Sequence, residues 1–241
     1  IIGTNPDFAE LNAIAGATTG IVTASISDTA ANLAGSLSTA STDAITVTVT
    51  GTSADAANLN TIDGVTSLAV VATSVATITG TAAAIVTAAQ SAGVTTVANY
   101  AATVDSGTLS VANALILDAD TTGVITGTVT EGDLATLKTL TDENNNNALT
   151  IIVTDTSADP ADLIAVDALT SVAVNARNVE TFTGSVSNLN SYRTAFDAGT
   201  ISGLTVYSVV TNDTSAAASD LLTLADTSPL DPDTNLASIG T

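Results

Sequence analysis

The sequence contains no cysteine, histidine or tryptophan, and these absences exclude several kinds of active site. Nucleophilic triads use a general base that is usually histidine, which this chain lacks. A zinc site would have to be built from carboxylates alone, although zinc sites rely mainly on cysteine and histidine. The chain also has no P-loop and no GxGxxG motif. We therefore expect that it is not an enzyme; a polysaccharide-active enzyme with paired carboxylates is the remaining catalytic alternative.

Aromatic and basic side chains are also scarce. Three tyrosines and three phenylalanines are scattered along 241 residues, so they form no platform for a sugar. Three basic residues against 24 acidic ones give a formal net charge of −21. Such a surface repels nucleic acid and anionic membranes, and high salt screens its self-repulsion. No apolar run of about 18 residues indicates a membrane span. We expect neither nucleic-acid binding nor membrane insertion.

What the sequence does contain is an internal repeat. Ile45–Asp55 reads ITVTVTGTSAD, and Leu149–Asp159, 104 residues later, reads LTIIVTDTSAD. At the same offset, NLNTIDGVTSLAV (Asn58–Val70) returns as DLIAVDALTSVAV (Asp162–Val174). Self-similarity at a fixed offset indicates one supersecondary unit that is stacked several times.

Each 104-residue super-repeat contains about four shorter units, in which a Thr/Val-rich strand precedes an Ala/Leu-rich stretch. In Ile45–Thr50, threonine alternates with aliphatic residues, which predicts a strand with one polar and one apolar face. The many threonines and serines fit hydrogen-bonded ladders along stacked strands, which we favour, or attachment sites for O-linked glycans. The predicted strand starts are Ile21, Ile45, Leu68, Ala101, Val124, Leu149, Val172 and Val206.

The stretches after the strands have the three-residue spacing of a short helix with one apolar face. Leu59 and Ile62 occupy the same positions in the first copy as Leu163 and Val166 in the second, so we expect all four to be buried. A turn or loop without a helix is the alternative. Two further stripes are Phe8, Leu11, Ile14 and Leu134, Leu137, Leu140.

Helix ends are predicted from capping residues. Asn5-Pro6 and Asp159-Pro160 each place a capping side chain before a proline at the first helical position, and the first helix is expected over Asn5–Ala15. The stretch DENNNN (Asp142–Asn147) is predicted to be a polar loop. Glycines are expected to end helices at Gly16, Gly64 and Gly93.

Together these patterns predict an α/β fold, a repetitive solenoid of parallel strand–helix units. Parallel strands need a return path, which the helix provides. Strands stack about 4.8 Å apart and helices about 8–10 Å apart, so the array has to curve or to alternate its helices between two faces. We expect one continuous solenoid over residues 1–241, a segment of a longer array, with super-repeat copies at 45–148 and 149–241, the second incomplete.

Open solenoid ends also predict a partner. Uncapped arrays present strand edges and an apolar cross-section, which favour pairing with another copy. The sequence shows no capping segment at either end, so we expect self-association into a homopolymer.

Calcium is the metal that the composition favours, because it takes oxygen ligands from carboxylates and carbonyls. Acidic residues cluster at predicted turns, where aspartate also serves as a cap or a solvated turn residue, and that is the alternative. The candidate calcium ligands are Asp118, Asp120, Asp155, Asp231 and Asp233.

Two segments resemble a known class of repeat proteins. LAVVATSVATITGTAAAI (Leu68–Ile85) and DLIAVDALTSVAVNARNVETFTG (Asp162–Gly184) are similar to repeats of giant cell-surface and secreted proteins of marine cyanobacteria, and of related adhesin-like and surface-layer-like proteins. The resemblance implies an extracellular or cell-surface structural role, in a filament, sheath or surface layer. An adhesin segment that binds a glycan or a protein is the alternative. The glycine–aspartate calcium nonapeptides of that class are absent here, so a calcium β-roll is not implied.

Overall fold

The computed structural model describes residues 6–203, 208–215, 217 and 219–220. In this part of the chain the fold is mixed α/β, and short helices alternate with short strands. The paired strands run parallel, which confirms the predicted α/β class with parallel strands, while the repetitive solenoid stays a prediction. The chain divides into two compact units, Ile1–Gly127 and Thr128–Thr241. One continuous array with copies at 45–148 and 149–241 stays a prediction.

Each helix begins directly after an aspartate, threonine or serine whose side-chain oxygen accepts a hydrogen bond from a backbone N–H two or three residues on. Such caps stabilise a helix by about 1 kcal/mol each. The caps are Asp7, Thr29, Asp55, Thr81, Ser110, Asp133, Asp159 and Ser185. The helices that follow are α1 (Phe8–Ala17), α2 (Ala30–Ser36), α3 (Ala56–Asp63), α4 (Ala82–Gln90), α5 (Val111–Asp120), α6 (Leu134–Leu137), α7 (Pro160–Asp167) and α8 (Val186–Ala198).

The buried face of the helices is set by distance from the cap. The first, fourth and seventh residues after the cap lie on one face of a helix. In α3 and α7 this places Leu59, Ile62, Leu163 and Val166 on the core side, and all four are fully buried. The prediction that they occupy equivalent core positions is confirmed.

The predicted start of the first helix is wrong. α1 begins at Phe8, and its cap is Asp7, whose Oδ1 accepts from the N–H of Ala9 at 2.8 Å. Pro6 therefore precedes the cap, because the Asp7 side chain is the one that reaches the first turn; Asn5 lies outside the described residues. The prediction for the second proline is confirmed, because Pro160 is the first residue of α7 and follows the cap Asp159.

The glycines end helices less often than predicted. Gly64 is the C-cap of α3, as expected. Gly16 lies inside α1. The chain leaves this helix at Thr18, whose backbone is extended, and this conformation does not require a glycine. Gly93 lies beyond α4, which closes at Ser91, also extended.

Residues up to 127 contain two parallel sheets. One has the strand order β1, β2, β4, β6, and the other contains β3, β5, β7 and β8 in that order. The chain therefore forms repeated segments, here called turns, and most of them contribute one strand to each sheet before their helix; β2, β3 and α3 make up one such turn. The strands are β1 (Thr23–Thr29), β2 (Ala44–Thr50), β3 (Ser53–Asp55), β4 (Val70–Ala72), β5 (Thr77–Thr81), β6 (Val94–Thr96), β7 (Ala101–Ser106) and β8 (Ile125–Thr128).

The single strand predicted from Leu68 is in fact two, β4 and β5. The chain bends between them, where the N–H of Val75 donates to the carbonyl oxygen of Ala72 at 3.0 Å. Val75 is fully buried. This inward-pointing valine continues the apolar run through the bend, which is why the sequence reads as one strand.

Helices do not alternate between faces. In the first unit α2 contacts α3, α3 contacts α4 and α4 contacts α5; in the second unit α6 contacts α7 and α7 contacts α8. Consecutive helices therefore form a row, which excludes alternation between two faces within each unit. Alanine-rich helices such as α4 allow this close side-by-side arrangement, because small side chains let the backbones approach.

Several elements of the second unit lie at a nearly constant offset from elements of the first. α7 begins and ends 104 residues after α3, and β12 begins 104 residues after β5. β14 begins 107 residues after β7. The strand start predicted at Val206 lies outside the described residues. The strands are β9 (Asn147–Thr150), β10 (Ser157–Ala158), β11 (Val174–Asn175), β12 (Thr181–Gly184), β13 (Ile201–Ser202) and β14 (Ser208–Thr211).

The stretch DENNNN is only partly a polar loop. Asp142 closes a turn, since its Oδ1 accepts from the N–H groups of Asn146 at 2.8 Å and Asn147 at 3.1 Å. Asn146 and Asn147 are buried, and Asn147 begins β9. The Nδ2 of Asn147 donates to the carbonyl oxygen of Thr141 at 2.7 Å, so its polar side chain is accommodated at a buried corner.

Candidate functional site

The candidate calcium ligands Asp118 and Asp120 do not converge. Both lie on the last turn of α5, where two residues are separated by about 200° around the helix axis. Asp118 is buried and Asp120 is exposed. Because they are on opposite sides of the helix, they cannot share one ion.

Asp120 instead accepts a hydrogen bond from Tyr100. The hydroxyl of Tyr100 lies 2.7 Å from Oδ2 of Asp120, and the tyrosine side chain is fully buried. Burial raises the pKa of Tyr100 well above its ordinary value of 10.0, and the hydrogen bond to Asp120 raises it further. The pair ties α5 to the segment that enters β7.

This pair predicts a loss of stability in alkali. In the unfolded chain the phenol of Tyr100 ionises at its ordinary pKa of 10.0, whereas in the folded protein it stays protonated to higher pH. The stability that this group contributes is therefore complete below pH 10.0 and is lost as the pH rises above that value. The free energy of unfolding of the wild type should fall above pH 10 by up to about 1.4 kcal/mol per pH unit more than that of Tyr100→Phe. Urea unfolding from pH 7 to 11.5 measures this difference. Parallel curves for the two proteins would contradict the assignment.

Asp155 caps a helix from a neighbouring segment. Its Oδ2 accepts from the N–H of Leu134, the first residue of α6, at 2.7 Å. The cap of that helix is Asp133, and hydrogen bonds from the backbone and side chain of Thr136 lower the pKa of Asp133. Two carboxylates thus accept hydrogen bonds at the start of one short helix. Asp133 loses its contribution to stability as the pH falls through its lowered pKa, because the protonated carboxyl group is a weaker acceptor.

Calcium binding stays a prediction. Asp231 and Asp233 lie outside the described residues, and within the described part of the chain no three acidic side chains converge on one point. If a carboxylate site exists, calcium should raise the melting temperature more than sodium does at the same ionic strength. Melting curves in the two salts measure this, and identical curves would contradict calcium binding.

Threonine hydroxyls bind the backbone at the corners where helices lead into strands. Oγ1 of Thr66 donates to the carbonyl oxygen of Ile45 at 2.7 Å and accepts from the N–H of Ile45 at 3.2 Å. It also accepts from the N–H of Leu68 at 3.2 Å. Because Thr66 follows α3 and Ile45 lies in β2, one buried hydroxyl joins two successive turns of the chain.

The same contact recurs elsewhere in the chain. Oγ1 of Thr170, 104 residues after Thr66, donates to the carbonyl oxygen of Leu149 at 2.8 Å and accepts from its N–H at 2.9 Å. Oγ1 of Thr121 donates to the carbonyl oxygen of Tyr100 at 2.5 Å. These hydroxyl groups support hydrogen-bonded ladders as a role for threonine. The three threonines lie in the corners between a helix and the next strand, rather than within the strands themselves.

Asp43 is a structural residue that sequence reasoning missed. The side chain is buried; Oδ1 accepts from the N–H of Val22 at 2.8 Å, and Oδ2 from the N–H of Ala40 at 2.9 Å. The backbone carbonyl oxygen of Asp43 also accepts hydrogen bonds from the N–H and from the hydroxyl of Ser67. An acidic residue two positions before the predicted strand start at Ile45 is the signal that could have found it.

Replacing Thr66 with valine should lower the free energy of unfolding by about 1–3 kcal/mol, because the shape is kept while the buried N–H and carbonyl of Ile45 lose their partner. Thr66→Ser keeps the hydroxyl and should cost less. Urea unfolding of both variants measures the difference. A loss for Thr66→Ser that equals or exceeds the loss for Thr66→Val would contradict a dominant role of the hydroxyl at this corner.

Two of the three basic residues form ion pairs with aspartates. Nζ of Lys138 lies 2.6 Å from Oδ1 of Asp162, and Nε of Arg193 lies 3.0 Å from Oδ2 of Asp197 on the same helix. An open groove beside α5 is lined by Gln90, Leu115, Ile116, Ala119 and Asp120. Its one carboxylate is the one bonded to Tyr100, so the groove holds no pair of acids for hydrolysis.

Comparison with models of protein families, with curated proteins and with solved structures finds no match for this chain. The resemblance to cell-surface repeat proteins therefore stays an expectation. Within the described residues, none of the helices combines the length and the apolar character that crossing a bilayer requires.

Proposed function

We propose that this chain is an extracellular structural protein, a solenoid of strand–helix units that serves as a building block of a filament, sheath or surface layer. The observation that carries the proposal is the use of polar side chains between successive turns. Thr66, Thr121 and Thr170 each bind the backbone of the preceding turn. These hydroxyl groups therefore help to hold one turn on the next.

The row of helices supports the same function. Asn60 in α3 donates from Nδ2 to the carbonyl oxygen of Ala84 in α4 at 3.0 Å, so the helices are joined to one another as well as to the sheets. Contacts of this kind act between neighbours only, which suits a stack of repeated units.

The charge supports a location outside the cell. At −21, the surface repels other copies unless salt or divalent cations screen it, and the Debye length falls from about 10 Å at 0.1 M to about 3 Å at 1 M salt. Sea water or a divalent-rich exterior provides such screening. Assembly should therefore strengthen as salt increases.

Electron microscopy of native material, together with that of the purified chain in high and low salt, tests the proposal. Ordered fibres or lattices are the expected result, and they should become sparser as salt is removed. Isolated particles or cell-tethered stalks at every salt concentration would overturn the proposal and favour the adhesin alternative.

A further inference from the structure

The groove beside α5 lies where two neighbouring helices end. Gln90 is the last residue of α4 and Asp120 is the last residue of α5, and both line the groove. The carbonyl end of a helix carries a partial negative charge of about half an elementary charge, which attracts cations. Neither helix has a basic residue in its last turn to balance this charge. The position of the groove therefore favours a positively charged ligand.

Asp120 adds a full negative charge at the same place. Its Oδ2 accepts a hydrogen bond from the hydroxyl of Tyr100 at 2.7 Å, and the buried phenol holds the carboxylate in position. Within the part of the chain that the structure describes, Tyr100 is the only hydrogen-bond partner of this side chain. Because Asp120 is exposed, its Oδ1 can accept from a ligand in the groove.

The first unit contains no basic side chain that could pair with this carboxylate. The three basic residues of the sequence are Lys138, Arg177 and Arg193, and all of them follow residue 127. Lys138 and Arg193 are already paired with aspartates of the second unit. A cation that binds at the end of α5 therefore comes from outside the first unit.

The wall of the groove is aliphatic. Leu115, Ile116 and Ala119 line it, and the two larger side chains are half-buried. Ile116 lies four residues before Asp120, so the two residues are neighbours on one side of the helix, with their Cβ atoms about 5–6 Å apart. An alkyl chain that packs on Leu115 and Ile116 can therefore place a charged end group at Asp120.

The donors and the size of the ligand follow from the same residues. A primary ammonium group has three N–H donors, and both Oδ1 of Asp120 and Oε1 of Gln90 can accept from it. A calcium ion needs six or more oxygen ligands and gains nothing from Leu115 and Ile116. The volume of the groove is about 390 Å³, near the lower end of the range of about 300–1,000 Å³ for small-molecule sites.

We propose that this groove binds an aliphatic ammonium ion, a small molecule with a primary amine at the end of an alkyl chain. The ammonium group donates to Oδ1 of Asp120 and to Oε1 of Gln90, and the alkyl chain packs on Leu115 and Ile116. This site goes beyond the structural role and does not depend on it, since all of its residues belong to the first unit.

Titration of the isotope-labelled full chain with hexylammonium, followed by NMR at constant ionic strength, tests the proposal. The backbone signals of residues 115–120 and the side-chain amide of Gln90 should shift, with a dissociation constant on the order of 1–10 mM for so small a ligand. Hexanol lacks the charge and ethylammonium lacks most of the alkyl chain, so each should bind several-fold more weakly.

Asp120→Asn removes the charge but keeps an oxygen that can accept from Tyr100. It should weaken the binding of hexylammonium several-fold and leave that of hexanol unchanged. Asp63→Asn is the matched control, because Asp63 is the last residue of α3 and accepts from Oγ of Ser91 at 2.8 Å, but lies outside the groove. This variant loses the same charge and should bind hexylammonium as the wild type does.

Gln90→Glu provides an independent test even if Asp120→Asn fails to fold. Gln90 is exposed, so the fold should tolerate the substitution. A second carboxylate at the groove should strengthen the binding of hexylammonium several-fold, with little effect on hexanol. Circular dichroism of each variant checks folding.

Several results would overturn the proposal. Hexanol that binds as tightly as hexylammonium, or an affinity that neither Asp120→Asn nor Gln90→Glu changes, would show that the charge plays no part. The absence of shifts in residues 115–120, or equal shifts at the aspartate caps of other helices, would show that the groove is not a specific site. Since the titration does not require assembly, each of these results leaves the proposed structural role to its own test.

Discussion

Replacing Leu163 with alanine should lower the free energy of unfolding by about 2–5 kcal/mol, because a fully buried leucine leaves a cavity that the surrounding helices and strands cannot fill. Leu59→Ala should have an effect of similar size, since Leu59 is the equivalent residue of α3 and is equally buried. Urea unfolding followed by circular dichroism measures both.

Leu68→Ala is the control for this pair. Leu68 is of the same residue type but is 41% exposed, so its truncation should cost less than about 1 kcal/mol. Losses at Leu59 and Leu163 no larger than the loss at Leu68 would show that the helices α3 and α7 are not packed as described.

Gly123→Ala should be among the most destabilising single substitutions in the chain, at about 3 kcal/mol or more. A Cβ at position 123 would lie 2.2 Å from the carbonyl oxygen of Tyr100 and 2.5 Å from that of Asn99. Both are backbone atoms, which cannot rotate away as a flexible side chain can, so the corner between α5 and β8 has to distort.

Gly35→Ala is the matched control for the glycine substitution. Gly35 lies in α2, and a Cβ there meets nothing within 4 Å. Alanine is favoured over glycine within a helix, so this variant should be more stable by about 0.5–1 kcal/mol. Thermal unfolding of both variants measures the contrast, and a neutral Gly123→Ala would contradict the close approach of the backbones.

The helices could be predicted because their signals are local. A capping aspartate followed by apolar residues at three-residue spacing describes α3 and α7 completely, and the burial of Ile62 and Val166 follows from it. The offset of 104 residues then transfers each assignment from one copy to the other.

The second strand of each turn could not be predicted in the same way. β3 has three residues and β10 has two, which is too short for an alternation of polar and apolar side chains to be recognised. These strands exist because the neighbouring turn offers its backbone groups, and that information lies about 24 residues away along the chain.

The calcium candidates show a further limit of sequence reasoning. Asp118 and Asp120 are two positions apart in the sequence, which predicts that they share a turn, but α5 extends through both and directs them apart. The abundance of threonine predicts hydrogen-bonded ladders, yet nothing in the sequence indicates which carbonyl Thr66 binds. The first fact depends on where α5 ends, and the second on how one turn is placed on another.

At three junctions the chain passes from strand to helix without a spare residue, and this limits where it can tolerate insertions. Thr29, Asp55 and Thr81 are each both the last residue of a strand and the cap of the following helix. One residue added there would rotate the buried face of the helix by about 100°. The other corner varies from two residues between α8 and β13 to nine between α6 and β9. A foreign peptide loop is therefore best inserted at Glu143–Asn145, where the fold already accepts extra length.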